Sequence, residues 1–492
     1  VSGEESGSTT DAGSEDGPAE TSGGPEESSS GADGLDDESS SGTEGPLVST
    51  ASARVVARDA AGNVAFYRFD DGVMSDGEVL HAGAVTVRQS PTGRWLLIEE
   101  AGDDPDWISE VVGGEPRPVT ELPVQGSEHR FLPDDTALVS LVQDGDDWTY
   151  VLTSLSRGFE SQVLATAGNA DFDFRVYAEG ITFVERPSFP GSNAFFARLD
   201  ASGAVQLSDV ADGEYIDGAV QLLGSGDVAT YVASTDGLYE VFIADTGTGT
   251  FERVHELLPD NTHAGPAAPD GSAFTYVVGP TLGVADNQLY VVPVADGEPV
   301  LVGSYDGDLP NGPIAWSPDS RWLAFAYSNA GGTFDLAVVD FAADTLAPQE
   351  VATIEREAFA NPPRLRFGDL SQGLYYDDDL GVHRVDLTGD GPGDASLLYA
   401  GASRFHVSRE ETSVLIDDGD GGLWQIDAND EMNRIDDEST KDRTGLVHAH
   451  DGSAAVFIED GRVAAVGLDT PGDSSSSPLS DSGASQLYVL PD

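Results

Sequence analysis

The sequence predicts an all-β chain, a single β-propeller of four-stranded blades behind an acidic N-terminal tail. Three observations lead there. Short apolar runs alternate with polar residues, as in Trp95-Leu96-Leu97-Ile98 and Gln288-Leu289-Tyr290-Val291-Val292. Asp- and Gly-rich turn signals separate these runs at intervals of about 8–12 residues, the rhythm of an all-β fold. A longer phrase also comes back every ~41–50 residues, the size of one propeller blade.

Residues 1–46 consist mainly of Ser, Gly, Glu, Asp and Thr, and no basic residue occurs before Arg54. They lack the apolar side chains that would offset the entropy of ordering, so a disordered, charge-extended spacer is expected. It reads as a tether, with an inert tail as the alternative. From Leu47 to Asp492 the repeat takes over.

Ser90-Pro91-Thr92-Gly93-Arg94-Trp95-Leu96-Leu97-Ile98 is echoed by Ser317-Pro318-Asp319-Ser320-Arg321-Trp322-Leu323-Ala324-Phe325. Weaker copies start at Pro133, Pro269, Ser408 and Asp451, with degenerate ones near Ala178, Gly224 and Gly368. In each unit an inner strand enters a turn whose Pro presets φ and whose Asp or Gly tolerates positive φ. A second strand follows, its side chains alternating toward the neighbouring units. A third tends to end in Asp, as in Phe334 to Asp340 and Leu423 to Asp427, and a polar fourth such as Gln349 to Thr353 lies outside. One such sheet cannot cover both its faces; a ring of them can.

The Ser-Pro-Asp-Gly-Arg-Trp-aliphatic phrase resembles the PD40 (WD40-like) repeat of TolB-like propellers, which also occurs in the propeller domains of prolyl-oligopeptidase relatives. The resemblance covers most of the chain after Leu47 and implies a fold more than a function, since propellers serve as binding modules, scaffolds and enzymes. TolB carries a helical N-terminal domain that residues 1–46 do not match. Eight blades is the expected count, within a range of seven to ten. Eight complete units fit between Gly83 and Thr440. Ala53 to Ala82 and Gly445 to Asp492 look like partial units that share a closing blade, which would remove exposed sheet edges. The Ser-rich run Pro471 to Gly483 reads as a loop before a last strand, Gln486 to Leu490.

Against 88 acidic residues stand 23 basic ones, of which Lys441 is the one lysine, for a net charge of −65. Such a surface repels phosphate backbones and anionic headgroups, so nucleic acid is not an expected partner. No apolar stretch approaches the ~18 residues of a membrane span, which leaves an N-terminal lipid anchor as the expected route to a membrane. With no Cys there is no disulfide, thiolate metal site or Cys nucleophile in this sequence. The chain starts at Val1, read here as a mature extracytoplasmic protein of the periplasm, outer membrane or cell surface, and as a candidate lipoprotein.

No Gly-x-Ser-x-Gly elbow, P-loop, dinucleotide fingerprint or His-Glu-x-x-His occurs in the sequence. Asp386, Asp390 and Asp394 space oxygen ligands around Gly391 somewhat as a calcium loop does, although Leu397 stands where a bidentate Glu belongs; the alternative is a plain hairpin. His448 and His450 lie on one strand face as a possible metal pair, or as ordinary polar residues. Trp107, Trp148 and Trp424 are candidates for an exposed aromatic platform, whereas Trp95, Trp316 and Trp322 fall in the repeat core.

Three residues before each turn proline or its equivalent stand Arg88, Arg130, Arg175, Arg366 and His406, with Gln221, Pro266, Ala315 and Val447 completing the series. On inner strands at equal height these form a basic ring at one channel mouth, an anion or carboxylate site. The competing reading pairs each Arg with a blade carboxylate. The expected function is a monomeric, non-enzymatic binding or scaffold protein. It presents loops and channel mouth to a protein, peptide or small anionic ligand, with no resident cofactor. A lyase or hydrolase acting on a sugar or peptide at the same mouth, and a structural surface lipoprotein, are the alternatives.

Overall fold

The two clearest repeats fold around their Ser-Pro turns. Ser90 Oγ accepts the Trp95 N–H at 2.9 Å, and Ser317 Oγ accepts that of Trp322 at 2.8 Å. The turn backbone closes from Gly93 N–H to Ser90 C=O and from Ser320 N–H to Ser317 C=O. The fourth turn residue has positive φ: glycine at Gly93, Gly271 and Gly452, but Asp135 (58°), Ser320 (63°), Ser371 (60°) and Glu411 (54°) elsewhere. Those four side chains reach the turn of the preceding repeat. Asp135 accepts from the Ser90 and Thr92 hydroxyls; Ser320 Oγ accepts the Asp270 N–H at 2.9 Å, Ser371 Oγ that of Asp319 at 3.1 Å, and Glu411 Oε1 that of Leu370 at 2.6 Å. A residue type that resists positive φ is placed there because its side chain links two blades.

The computed structural model describes residues 51–491 except 103, 146, 169–173, 189–190, 210–213, 236–237, 259–261, 280–285, 307–312, 329–332, 344, 355–362, 389–390, 402–403, 428, 437–442, 450–451, 461, 469–474 and 479–483. The tether expected over residues 1–46 lies outside them. Ser49–Asp492 forms one compact unit, and among the described residues it contains strands and no helix.

There are ten antiparallel sheets. Sheet 1 combines Ala484–Leu490, Ser52–Asp59 and Val64–Asp70 with short outer pieces. Sheets 2 to 10 follow in chain order, with first strands Thr86–Gln89, Glu128–Phe131, Arg175–Val176, Glu214–Leu223, His263–Ala267, Ile314–Trp316, Leu365–Phe367, Arg404–Val407 and Arg443–His448. First strands of most successive sheets touch each other, so they form the inner wall.

The apolar cores show that the ring is closed. Ten clusters are present, and each joins two successive sheets. An open stack of ten sheets has nine interfaces; the tenth here packs Val55, Ala57 and Tyr67 of sheet 1 against Ala454, Val456 and Val463 of sheet 10. Period-two alternation explains how one strand serves two interfaces. Trp95 and Leu97 face sheet 3, while Leu96 and Ile98 face sheet 1. Burying a strand on both faces gives the unbroken buried run at Trp95–Ile98 and Ala454–Glu459.

The fold is therefore the expected all-β propeller, with ten sheets among the described residues, two more than the best count of eight and at the upper end of the expected range of seven to ten. Both end segments, read as partial, complete a sheet of their own. Ser52–Asp59 pairs with Ala484–Leu490 in the shared closing blade, and Ser475–Pro478, inside the run read as a loop, is the outer strand of sheet 10.

Candidate functional site

Each of the five basic residues is the last but one in the first strand of its sheet. Arg88 is opposite Leu97, Arg130 opposite Val139, Arg175 opposite Thr182, Arg366 opposite Tyr375 and His406 opposite Leu415. Their side chains do not form one ring of free charges. Arg88 Nε meets Glu99 at 3.1 Å, and its Nη1 donates to the His129 carbonyl of sheet 3 at 3.2 Å. Arg130 pairs with Glu128 at 2.7 Å and lies over the Phe174 ring of sheet 4, 4.8 Å from its centroid. For these two the structural reading holds: they tie adjacent blades together. Arg175 is half-buried and has no ion pair among the described residues.

Arg366 and His406 separate from the rest. They share with His448 a cavity of about 560 Å³ between the turn ends of sheets 8, 9 and 10, where sheets 1 and 2 add Val489, Pro491, Gln89, Ser90 and Thr92. Arg366 is exposed and makes no hydrogen bond or ion pair among the described residues. His406 Nδ1 meets His448 Nδ1 at 2.8 Å, and His448 Nε2 meets Ser413 Oγ at 2.9 Å. Burial, then the nearby Arg366 charge, lowers the His406 pKa to about 4. Burial, His406 and Arg366 lower that of His448 to about 3. At neutral pH both rings are uncharged, and a single N–H lies between their Nδ1 atoms. Of the wall's remaining charges, Arg409 Nε stands 3.9 Å from Asp369, and Glu410 is the other.

The metal expectations fare differently. Both nitrogens of His448 are engaged, His450 lies outside the described residues, and no group of three metal-ligating side chains occurs among those described. Asp386 pairs with Arg384 at 2.7 Å and Asp394 is exposed, while Asp390 lies outside the described residues. Gly391–Pro392 pairs with Leu387 and Thr388 on either side of residues 389–390, which lie outside the described residues.

Trp95, Trp316 and Trp322 are buried in the core as expected. Trp107 and Trp424 instead donate to Glu100 at 2.9 Å and Asp418 at 3.0 Å, in sheets 2 and 9, so they do not build one platform.

Two polar clusters escaped the sequence reading. His129 joins Ser140 Oγ and Asp106 Oδ2, each at 2.8 Å. The three side-chain types suit nucleophilic catalysis, but Ser140 and His129 are each 1% exposed and Asp106 8%. The group is a buried bridge from sheet 2 to sheet 3. Arg443 and Glu459 form a second buried pair at 3.3 Å. Among so many carboxylates, neither spacing carries a signal.

No protein-family model matches the chain, and no curated protein sequence matches it. Solved structures do. Against TolB from Acinetobacter baumannii the identity is 15% and the TM-score 0.29, over 69% of this chain and 80% of that one. Against Porphyromonas gingivalis dipeptidyl peptidase 4 they are 12% and 0.44, over 80% and 59%. The tricorn protease gives 13% and 0.34, over 88% of this chain and 46% of that one. The likeness is one of fold: a β-propeller.

Proposed function

We propose that this chain is a non-enzymatic binding protein whose cavity at the turn ends of sheets 8 to 10 takes a carboxylate or other small anion, free or carried by a peptide or protein. One observation carries the reading. In a chain where carboxylates outnumber basic residues almost four to one, 88 against 23, Arg366 stands exposed in a concave wall with no partner among the described residues. A guanidinium offers two parallel donors to a carboxylate, and Thr412 lines the same space. Val407, Val489 and Pro491 supply an apolar wall for the body of such a ligand. Kinship with PD40-repeat binding propellers and a tethered position outside the cytoplasm belong to this reading, supported by the repeat phrase and the composition of residues 1–46.

The test is thermal shift and calorimetry with pyruvate, succinate, inorganic phosphate and an acidic peptide. Wild-type protein is stabilised by at least one of them, because a ligand that binds only the folded state raises its stability. Arg366→Gln loses that response, and Arg88→Gln, whose side chain is already paired outside the cavity, keeps it. An Arg366→Gln protein that binds as the wild type does ends the proposal.

A further inference from the structure

The histidine pair beside Arg366 is built in a way that a plain anion site does not require. His448 has a partner on each nitrogen: His406 on Nδ1 and Ser413 on Nε2. His406 has one, on Nδ1; its Nε2 makes no hydrogen bond among the described residues, and the residue lines the cavity. Ser413, His448 and His406 thus form a chain of hydrogen bonds with one open end, on the cavity side.

In the empty site two effects keep the chain neutral, burial and the Arg366 charge. A bound anion reverses the second. Its charge offsets Arg366 and places an acceptor where the open nitrogen of His406 can donate. In the tautomer that puts the shared N–H on His406 Nδ1, its Nε2 is unprotonated; a proton added there leaves the Nδ1···Nδ1 hydrogen bond intact, and the imidazolium charge faces the anion instead of a lone guanidinium. Other charges on the wall change little: Arg409 and Asp369 stand opposite each other, Glu410 adds one negative charge, and the residues contributed by sheets 1 and 2 are uncharged.

Resting on the anion-site reading above, we propose that the cavity takes its anion together with one proton, held by the His406–His448 pair. The ligand class is a carboxylate that the site binds more tightly in mild acid.

If the bound anion restores His406 to an ordinary imidazole pKa of about 6.5, the affinity for it rises about twenty-fold between pH 7 and pH 5. The probe is pyruvate, ionised throughout that range, titrated calorimetrically at both pH values in buffers of contrasting ionisation heat. The buffer dependence counts the protons taken up and needs no variant. Close to one proton per pyruvate at pH 5, with the affinity gain, is the expected result. In His406→Gln the uptake disappears and the affinities at the two pH values converge. Pyruvate bound equally at both, with no proton taken up, overturns this inference and leaves the anion site standing. No binding of pyruvate at either pH overturns this inference; only silence from succinate, phosphate and the acidic peptide as well removes the anion site.

Discussion

Leu490 is the side chain through which the closing of the ring can be measured. It sits in the C-terminal strand that pairs with Ser52–Asp59, opposite Arg54, and is 1% exposed. Alternate residues of that strand serve different neighbours. Leu490 and Tyr488 pack toward sheet 2, and Leu487 and Val489 toward sheet 10. Leu490→Ala removes a fully buried side chain from a wall that two sheets share, at a cost of about 2–5 kcal/mol. Truncation before Ala484 removes all four apolar side chains, Leu490 fully buried and the other three half-buried, together several kcal/mol at ~1.5–3 kcal/mol for complete burial, and with them the whole backbone ladder to Ser52–Asp59. That total approaches the whole stability of an ordinary domain, about 5–15 kcal/mol, so the truncated chain does not fold cooperatively. Leu397→Ala is the control, since Leu397 is 51% exposed on an outer strand and its loss stays within about 0.5 kcal/mol. Urea unfolding followed by tryptophan fluorescence reads all three. The reasoning is refuted by a truncated chain that melts like the intact one. In an open stack, losing a terminal strand frays one end and leaves the other interfaces whole.

Two further outcomes follow from buried titratable groups. The folded pKa values of His406 and His448, about 4 and about 3, lie below the ordinary ~6.5, so in mild acid the unfolded chain binds more protons. Their contribution is full above pH ~6.5 and is lost as the pH falls through about 4 and then about 3, on the order of 3–5 kcal/mol for each ring. A His406→Gln/His448→Gln protein should show a flatter fall in melting temperature from pH 7 to 4, and an unchanged slope removes the explanation. At Arg443 and Glu459, with side chains 1% and 3% exposed, Glu459→Gln strands a buried guanidinium. Chemical denaturation should record a loss of about 3–5 kcal/mol, largely recovered in Arg443→Met/Glu459→Leu; equal loss in the double variant contradicts this.

What could be read from the sequence was whatever repeats. The Ser-Pro turn is legible because its parts have local jobs: the serine hydroxyl holds the backbone that re-enters the second strand, and the proline fixes the bend. Sheets 1 and 10 were undercounted where those parts are missing. In sheet 1 the first described turn is held by Asp59, whose carboxylate accepts the N–H groups of Ala61 and Asn63, each at 2.8 Å, with no proline. The outer strand of sheet 10 is Ser475–Pro478, which has neither apolar alternation nor β-branched residues to announce it. The strand position of the basic residues was legible for the same reason, being counted from the turn. Which of them keep a free charge was not. That depends on sideways neighbours such as Glu99 beside Arg88 and Phe174 beneath Arg130, and a repeat count carries no information across blades.

An anion site on a chain of net charge −65 makes sense only if its field is local. At physiological salt, exposed charges more than about 8 Å away are largely screened, so the cavity wall matters more than the chain total. On that wall Arg409 faces Asp369, the single negative charge of Glu410 equals in number the single positive charge of Arg366, without pairing to it among the described residues, and the two imidazoles are neutral. The wall is therefore close to neutral on a strongly negative molecule, and one proton on the histidine pair is enough to make it positive. The blade links support the same balance. Arg88 and Arg130, on the first strands of sheets 2 and 3, are spent on joining sheets, whereas Arg366, at the mouth between sheets 8 and 10, lines a cavity without a partner among the described residues.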